Sequence, residues 1–176
     1  CEPPARKDKA LEKRVELHLH TKMSALDGVA DVDEIIKRAS EWQHPAIAIT
    51  DHGVVQAFPE AYAAGKKYGI KVLYGLEGYL IDDDERGSSY HIVILAATTE
   101  GLRNLYRLVS LSHIDYFYRR PRLPRRELER LREGLLFGSA CEAGELYQAL
   151  LAGASDEQAE KIASFYDYLE IQPLDN

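Results

Sequence analysis

The sequence predicts an α/β fold: a parallel sheet, or a barrel of strands, with helices packed on its outer side. Strand-like and helix-like segments alternate along nearly all of the 176 residues. Several strand segments are short, almost continuous apolar runs, which are typical of strands buried on both faces. A chain of this length has room for one domain with a sizeable core, and too little for two ordinary ones.

The first third of the chain predicts one strand and one helix. Residues 1–13 are polar, and we expect a disordered segment or a linker there. Residues 14–20 have the pattern of a first strand, and residues 14–176 are expected to form the single domain. A helix should begin at Asp31, because Asp31 and Glu34 are spaced as in a variant of the capping box.

The middle of the chain adds two strands and a helix. The apolar run 45–50 predicts the second strand, and the following helix should end at Gly69, since glycine commonly terminates helices. The stretch IKVLYG predicts the third strand, with EGYLI as its continuation. Residues 82–90 begin with DDDERGSS, the clearest break in composition, and we expect a surface connection there.

The remainder of the chain repeats the alternation. YHIVILAA predicts a strand, and apolar residues at helical spacing, including Leu105 and Val109, predict the helix after it. A loop rich in proline and arginine precedes the short helix RRELERLR. The last predicted elements are the strand GLLFGSA, helices at 142–151 and 156–165, and the strand YDYLEIQ.

Composition limits the function. The chain has 22 basic and 29 acidic residues, a formal charge of −7, which argues against a protein whose whole surface binds nucleic acid. No segment approaches the ~20 apolar residues of a membrane span, and the N-terminal segment lacks the apolar core of a signal peptide. We therefore expect a cytoplasmic protein with no membrane partner.

One segment is locally basic, with seven arginines between Arg119 and Arg132 next to three aromatic residues. It has two interpretations: a solvated loop that leads into a charged helix, or a surface that contacts DNA or another domain. The candidate contact residues are Arg119, Arg120, Arg122 and Arg125.

Polar residues with metal-binding side chains collect at predicted strand ends, where α/β sheets place their functional groups. His18 and His20 lie two residues apart, so on a strand both would point to the same face, about 6 to 7 Å apart. Asp51 with His52, then Glu77, then Cys141, follow later strands directly, whereas His91 opens its strand and fits the rule less well.

The candidate ligands combine imidazole, carboxylate and thiolate groups, which suit zinc, manganese or iron. Taken singly, each has an ordinary structural interpretation; Asp51, for example, could cap a helix and Glu77 could solvate a strand end. Their joint occurrence at successive strand ends favours a metal site. The candidates are His18, His20, Asp27, His52, Glu77, His91 and Cys141.

Six ordered motifs that carry these residues resemble the PHP (polymerase and histidinol phosphatase) domain: HLHT, SALDG, AIAITDHG, GLEGYLI, HIVILA and GSACEAGE. The stretches EKRVELHLHTKMS and NLYRLVSLSHIDYFYRRPRLPR are most similar to the PHP domain of PolC-type bacterial DNA polymerase III alpha subunits. The resemblance runs from about residue 14 to the C-terminus. It implies a distorted (β/α)7 barrel, expected to be incomplete at its C-terminus.

The resemblance also implies up to three metal ions, Zn2+ or Mn2+ or else Fe, with fewer expected here. Asp51 would orient a ligand histidine without binding metal itself. In the implied assignment His18, His20 and Glu77 hold the first ion, Glu77 bridges to a second ion held with His91 and Cys141, and Asp27 and His52 hold part of the third.

The sequence departs from the family pattern in two places. It ends at Asn176, before the last motif of the family, so the first and third ions are each expected to lack a ligand. Only DDDERGSSY stands where PolC relatives carry an exonuclease domain inserted within the PHP domain.

Three functions follow from these observations. The leading one is a metal-binding PHP module of a bacterial replicative DNA polymerase, a nucleotidyltransferase, with phosphoesterase chemistry latent or lost. Its partners would be the other polymerase domains, and DNA either indirectly or through the arginine-rich segment. The alternatives are a free-standing metal-dependent phosphatase acting on a small phosphate monoester, and a purely structural interaction module.

Overall fold

A computed structural model describes residues 7–82 and 89–172. The predictions for residues 1–6 and 83–88, parts of the expected linker and surface connection, lie outside the described residues. The elements are α1 Val32–Glu41, β1 Ala46–Ile49, α2 Phe58–Tyr68, β2 Lys71–Ile81, β3 Tyr90–Ala96, α3 Thr99–Ile114, β4 Phe117–Tyr118, β5 Arg120–Pro124, α4 Arg125–Arg130, β6 Leu135–Gly138, α5 Glu145–Leu151 and α6 Asp156–Ala163.

The long strand β2 organises the sheet. Its first half pairs in parallel with β1, its second half pairs antiparallel with β3, and its end pairs in parallel with β5. β6 pairs antiparallel with β3, and β4 forms a hairpin with β5. The α/β class is confirmed, but the sheet is mixed. The connection between β2 and β3 is shorter than the dozen or so residues that a parallel crossover needs, so β3 runs back along β2.

The two faces of β3 enter two different cores, as the alternation of side chains along a strand requires. Ile92 and Ile94 belong to the large core between the sheet and the helices. Val93 and Leu95 belong to a small core on the opposite face. Tyr168, near the C-terminal end of the described residues, packs against this small core, as does the N-terminal segment. The segments around Leu17 and Tyr168 therefore both pack on the same face of the sheet.

The first and last predicted strands do not form regular strands in the structure, so these two predictions are wrong. Of residues 14–20, only Glu16 forms a bridge to β1, because the Leu19 N–H donates to the Thr50 side chain (2.7 Å) and not to a main-chain carbonyl. In YDYLEIQ, only Tyr168 forms a bridge, to β6. Both segments still run beside the sheet, one next to β1 and the other next to β6.

The helices begin and end close to the predicted positions, with one correction. Asp31 is the N-cap of α1 but makes no capping hydrogen bond, because its carboxylate pairs with Lys22. Gly69 ends α2 in the left-handed conformation (φ 69°), as predicted. The predicted proline/arginine loop instead forms the β4–β5 hairpin. Within the described residues, no helix has the length and apolar character that crossing a membrane requires.

Candidate metal centre

Glu77 is a fully buried carboxylate surrounded by four imidazole rings. Its Oε1 atom lies 3.1 Å from His18 Nε2 and 2.9 Å from His91 Nδ1. Its Oε2 atom lies 2.8 Å from His20 Nε2 and 2.9 Å from His52 Nδ1. The Glu77 side chain has no exposed surface, and the four histidine side chains keep 14–19% of theirs. One carboxylate thus joins four histidines from three separate parts of the sequence.

The lengths of the strands explain why these residues meet. β1 stops at Ile49, level with Tyr74, so the chain after β1 passes beside the later part of β2 and forms a bridge between His52 and Glu77. Glu77 lies inside β2 and does not follow it, contrary to the prediction. His91 reaches the same edge because β3 is antiparallel, which places the beginning of β3 beside the end of β2.

Cys141 follows β6 and adds a sulfur atom to the centre. Its Sγ lies 3.4 Å from His91 Nδ1 and 3.7 Å from Glu77 Oε1. With the 2.9 Å contact between His91 and Glu77, these atoms form a compact nitrogen, oxygen and sulfur set. They are the residues that the family resemblance assigns to the second ion.

Asp27 adds a second carboxylate at the mouth of the centre. Its Oδ2 atom contacts His20 Nδ1 and lies 3.6 Å from His52 Nε2. About half of the Asp27 side chain is exposed, so this carboxylate faces the solvent side. His20 and His52 therefore each have one nitrogen toward Glu77 and the other toward Asp27.

Asp51 is buried and holds the loop that follows His20. Its carboxylate accepts hydrogen bonds from the Thr21 N–H (2.7 Å), the Thr21 hydroxyl (2.8 Å) and the Ser24 hydroxyl (2.7 Å). The Ser24 hydroxyl in turn accepts from the His52 N–H (3.1 Å). Asp51 thus contacts the loop and not a histidine ring, and its predicted role in orienting a ligand histidine stays a prediction.

Three further residues lie at the same centre and are not among the predicted candidates: Glu142, Glu170 and Gln172. Glu170 Oε2 is 2.8 Å from His18 Nδ1, the nitrogen that faces away from Glu77. Glu142 and Gln172 line the cavity, and the Gln172 side chain accepts a hydrogen bond from the Glu142 N–H (3.2 Å). Tyr168, Glu170 and Gln172 alternate in YDYLEIQ, a pattern that predicts one shared face but does not predict what that face contacts.

The donor atoms are close enough to share ions. Ligands about 2.0–2.3 Å from one tetrahedral ion are separated by about 3.3–3.7 Å, so the observed contacts need only small adjustments. Three groups each offer donor atoms within 4.8 Å of one another: His18, His20 and Glu77; His20, Asp27 and His52; and His52, Glu77 and His91. The first group contains the residues that the family resemblance assigns to the first ion.

Besides Glu170 Oε1, three buried atoms of the centre lack a hydrogen-bond partner among the described residues. They are His20 Nε2, His52 Nδ1 and Glu77 Oε2, which face one another at 2.8–2.9 Å without forming hydrogen bonds. Buried polar atoms without partners are costly, and a cation between them would satisfy all three. The residues present therefore fit a divalent metal ion.

The fixed negative charge of Glu77 favours positive charge in the centre. Burial lowers the pKa of His18, but hydrogen bonds to Glu170 and Glu77 outweigh burial and raise that pKa to about 10. Burial also lowers the pKa of His20, but the adjacent Glu77 and Asp27 carboxylates outweigh burial and raise that pKa. Burial raises the pKa of Glu77, but the four imidazoles hold it well below its usual range. Burial and the Glu77 charge raise the pKa of the Cys141 thiol to about 12.

The centre opens into a cavity of about 360 Å³. Of the described residues that line it, none is an arginine or a lysine. Phosphate groups in proteins are usually held by such cations, so a phosphate in this cavity would depend on bound metal for positive charge. The lining residues are His18, His20, Asp27, His52, Glu77, His91, Cys141, Glu142 and Gln172.

The four predicted contact arginines separate into two kinds of environment. Arg125 pairs with Glu145 (2.7 Å), and Arg122 donates from Nε to the Tyr116 carbonyl (3.3 Å). Arg119 and Arg120 are exposed at the tip of the β4–β5 hairpin. The predicted contact with DNA or another domain stays a prediction for all four.

Fold and site together define an α/β protein with a centre of histidines, carboxylates and a thiol at one edge of a mixed sheet. A family model described as the PHP domain matches residues 16–173, and the chain belongs to this family. The predicted resemblance is thereby confirmed.

Similar proteins with curated descriptions are PolC-type DNA polymerases III. The chain is 27% identical to that of Clostridium perfringens, over 97% of this chain and 26% of the relative. It is 26% identical to that of Bacillus subtilis, over 92% of this chain and 25% of the relative. The chain therefore spans about a quarter of the length of these relatives. The first alignment covers 371 positions, about twice the 176 residues here, so the relative contains a long stretch without a counterpart.

A solved structure with a similar fold is that of a proposed metal-dependent phosphoesterase from Bifidobacterium adolescentis. The TM-score is 0.57 at 18% sequence identity, over 96% of this chain and 78% of that chain. This likeness supports the assignment of the fold as an incomplete PHP barrel.

Replacing Glu170 by glutamine should weaken metal binding by roughly 10- to 100-fold, the range for losing a carboxylate that orients a ligand histidine. The variant keeps the size of the side chain but removes the charge that holds His18 in one orientation. Titration against a competing chelator measures the affinity. The exposed Glu160→Gln on α6 is the matched control, and equal affinities in both variants would contradict the role of Glu170.

Proposed function

We propose that this chain is the metal-binding PHP module of a bacterial replicative DNA polymerase, with phosphoesterase chemistry that is latent or lost. One observation carries the metal-binding part: a fully buried carboxylate, Glu77, contacts four histidines, and unpartnered donor atoms face one another between them. The ions would belong to the Zn2+ or Mn2+ class, because nitrogen, oxygen and sulfur donors occur together.

The ligands proposed for the ions follow from the contacts. His18, His20 and Glu77 would hold one ion, and Glu77, His91 and Cys141 another. A third ion would be held by Asp27 and His52 together with His20. Such ions, when bound, supply positive charge for phosphate oxygens and lower the pKa of bound water.

The chain's own residues favour metal retention over turnover. Glu170 holds the His18 ring through the nitrogen that faces away from Glu77, and the Asp51 network holds the loop that follows His20. No arginine or lysine in the described cavity lining could hold a substrate phosphate directly. A small phosphate monoester would therefore be bound weakly, which supports the latent or lost chemistry.

The PolC-type relatives support the polymerase context, and this chain covers only about a quarter of their length. The proposed partners are accordingly the other domains of a polymerase polypeptide, and the proposed location is the bacterial cytoplasm. A free-standing phosphatase is the second candidate. It is favoured by the PHP-type fold shared with a proposed metal-dependent phosphoesterase, and its substrate would be a small phosphate monoester.

Two measurements on one preparation test the proposal. Elemental analysis of protein purified without chelators should find at least one Zn2+- or Mn2+-class ion per chain. The same protein should hydrolyse p-nitrophenyl phosphate slowly or not at all. Absence of metal would contradict the proposal and favour the alternative of a purely structural interaction module. Robust hydrolysis that His20→Ala abolishes would establish the phosphatase instead.

A further inference from the structure

We propose that the tip of the β4–β5 hairpin, residues 117–120, binds single-stranded nucleic acid beside the metal centre. This inference rests on the proposed polymerase function and gives its ligand class. The tip presents two arginines and two aromatic side chains to solvent; Phe117 is 56% and Tyr118 40% exposed. Arginines that track phosphates and aromatic rings that stack on bases are the two components of sequence-tolerant single-strand binding.

The arginines of the tip differ from the other arginines of the same segment. Within the described residues, no carboxylate forms an ion pair with Arg119 or Arg120. By contrast, Arg125 pairs with Glu145, Arg130 with Glu127, and Arg132 with Asp167. The tip therefore carries positive charge that no carboxylate of the described residues pairs with, in a chain whose net charge is −7.

The backbone of the tip is also unusual. Arg119 has a φ of 64°, in the left-handed region where a side chain is unfavourable and glycine is preferred. A glycine there would relieve the strain, so the sequence keeps a strained arginine at an exposed position of the hairpin. Strain of this kind occurs preferentially where a side chain has a binding role.

Direct packing places the tip next to the metal centre. The Arg120 guanidinium lies over the Tyr79 ring at 4.7 Å, and the Tyr79 ring stacks on His52 at 5.8 Å with an interplanar angle of 10°. Pro121 packs against Gly53, where an added Cβ would lie 2.5 Å from the proline Cγ. A nucleic-acid strand bound on the tip would therefore run past the mouth of the cavity. A small phosphate bound inside the cavity would make no contact with the tip.

The test is the binding of a fluorescein-labelled oligodeoxythymidine, followed by anisotropy over a series of stated salt concentrations. Arg120→Ala should weaken binding roughly five- to tenfold at low salt and reduce the slope of log affinity against log salt by about 1. Phe117→Ala should weaken binding with no change in that slope, because a base-stacking contact releases no counterions.

Arg119→Gly separates binding from folding. It removes a charge and relieves the left-handed strain, so it should weaken binding while the thermal unfolding temperature stays the same or rises. The control is Arg103→Ala, an exposed arginine on α3 that pairs with Glu100 (3.0 Å) and should leave binding within twofold.

The inference is overturned if the wild-type chain does not bind the oligonucleotide, if the tip variants bind like wild type, or if Arg103→Ala is equally impaired. The metal content of each variant, measured in parallel, should match that of the wild type. Metal content and oligonucleotide binding are separate measurements. A wild-type chain that binds the oligonucleotide but contains no metal would overturn the proposed metal module and leave this inference standing.

Discussion

Replacing Glu77 by glutamine is expected to weaken metal binding by more than about 100-fold, a larger loss than removing a carboxylate that only orients a ligand. The four histidines of the centre all contact this one carboxylate, and its two oxygens divide them into two pairs. Glutamine keeps the shape of the side chain but loses the negative charge that favours a cation. A competing chelator measures the loss of affinity.

The same variant should lose the stabilisation that bound metal gives to the folded chain. At a free metal concentration about 1,000 times the dissociation constant, that stabilisation is about 4 kcal/mol. Thermal unfolding of the wild type should therefore shift upward on adding metal. That of Glu77→Gln should shift by no more than about a third as much, because a roughly 100-fold weaker affinity leaves only about 1.4 kcal/mol at the same metal concentration. Glu142→Gln, at the same cavity but outside the three donor groups, is the matched control. A metal-dependent shift of equal size in both variants would show that Glu77 is not the central ligand.

Replacing Asp51 by alanine should destabilise the metal-free fold by about 3 kcal/mol or more. The Asp51 side chain accepts three hydrogen bonds from Thr21 and Ser24, the two buried residues of the loop that follows His20. Each buried donor left without a partner costs about 1–3 kcal/mol. Denaturant unfolding in the presence of a chelator measures the effect without any contribution from metal.

Two further variants define what the Asp51 carboxylate contributes. Asp51→Asn keeps the volume and part of the hydrogen bonding, so its loss should fall between that of alanine and wild type. Asp115→Ala, at the exposed C-cap of α3, should change stability by no more than about 0.5 kcal/mol. If Asp51→Ala were as mild as Asp115→Ala, the loop after His20 would not depend on Asp51.

The sequence predicted most elements and most of the centre, because the signals involved are local. Buried strands such as 45–50 are marked by apolar runs, and α2 is ended by a glycine in the conformation that glycine favours. The predicted metal-binding side chains, from His18 to Cys141, line one cavity. Cys141 follows β6, Glu77 lies in the later part of β2, and His91 begins the antiparallel β3. His18 and His20 lie in the segment that runs beside β1.

What the sequence did not predict depends on contacts between distant segments. His91 fitted the strand-end rule poorly until β3 proved to be antiparallel, a consequence of the short connection before it. Glu170 lies 152 residues from His18, and no local pattern links them. The environments of Arg120 and Arg125 differ because the second has Glu145 within 2.7 Å, a contact that only the tertiary fold creates.

Anomalous X-ray scattering from crystals grown with Zn2+ or Mn2+ tests the central claim most directly, because it reports the identity and the position of a bound ion together. The account predicts at least one peak about 2.0–2.3 Å from a Glu77 oxygen and from nitrogens of two of the surrounding histidines. Crystals with no peak at the centre, in which the histidines simply hydrogen-bond to Glu77, would contradict it.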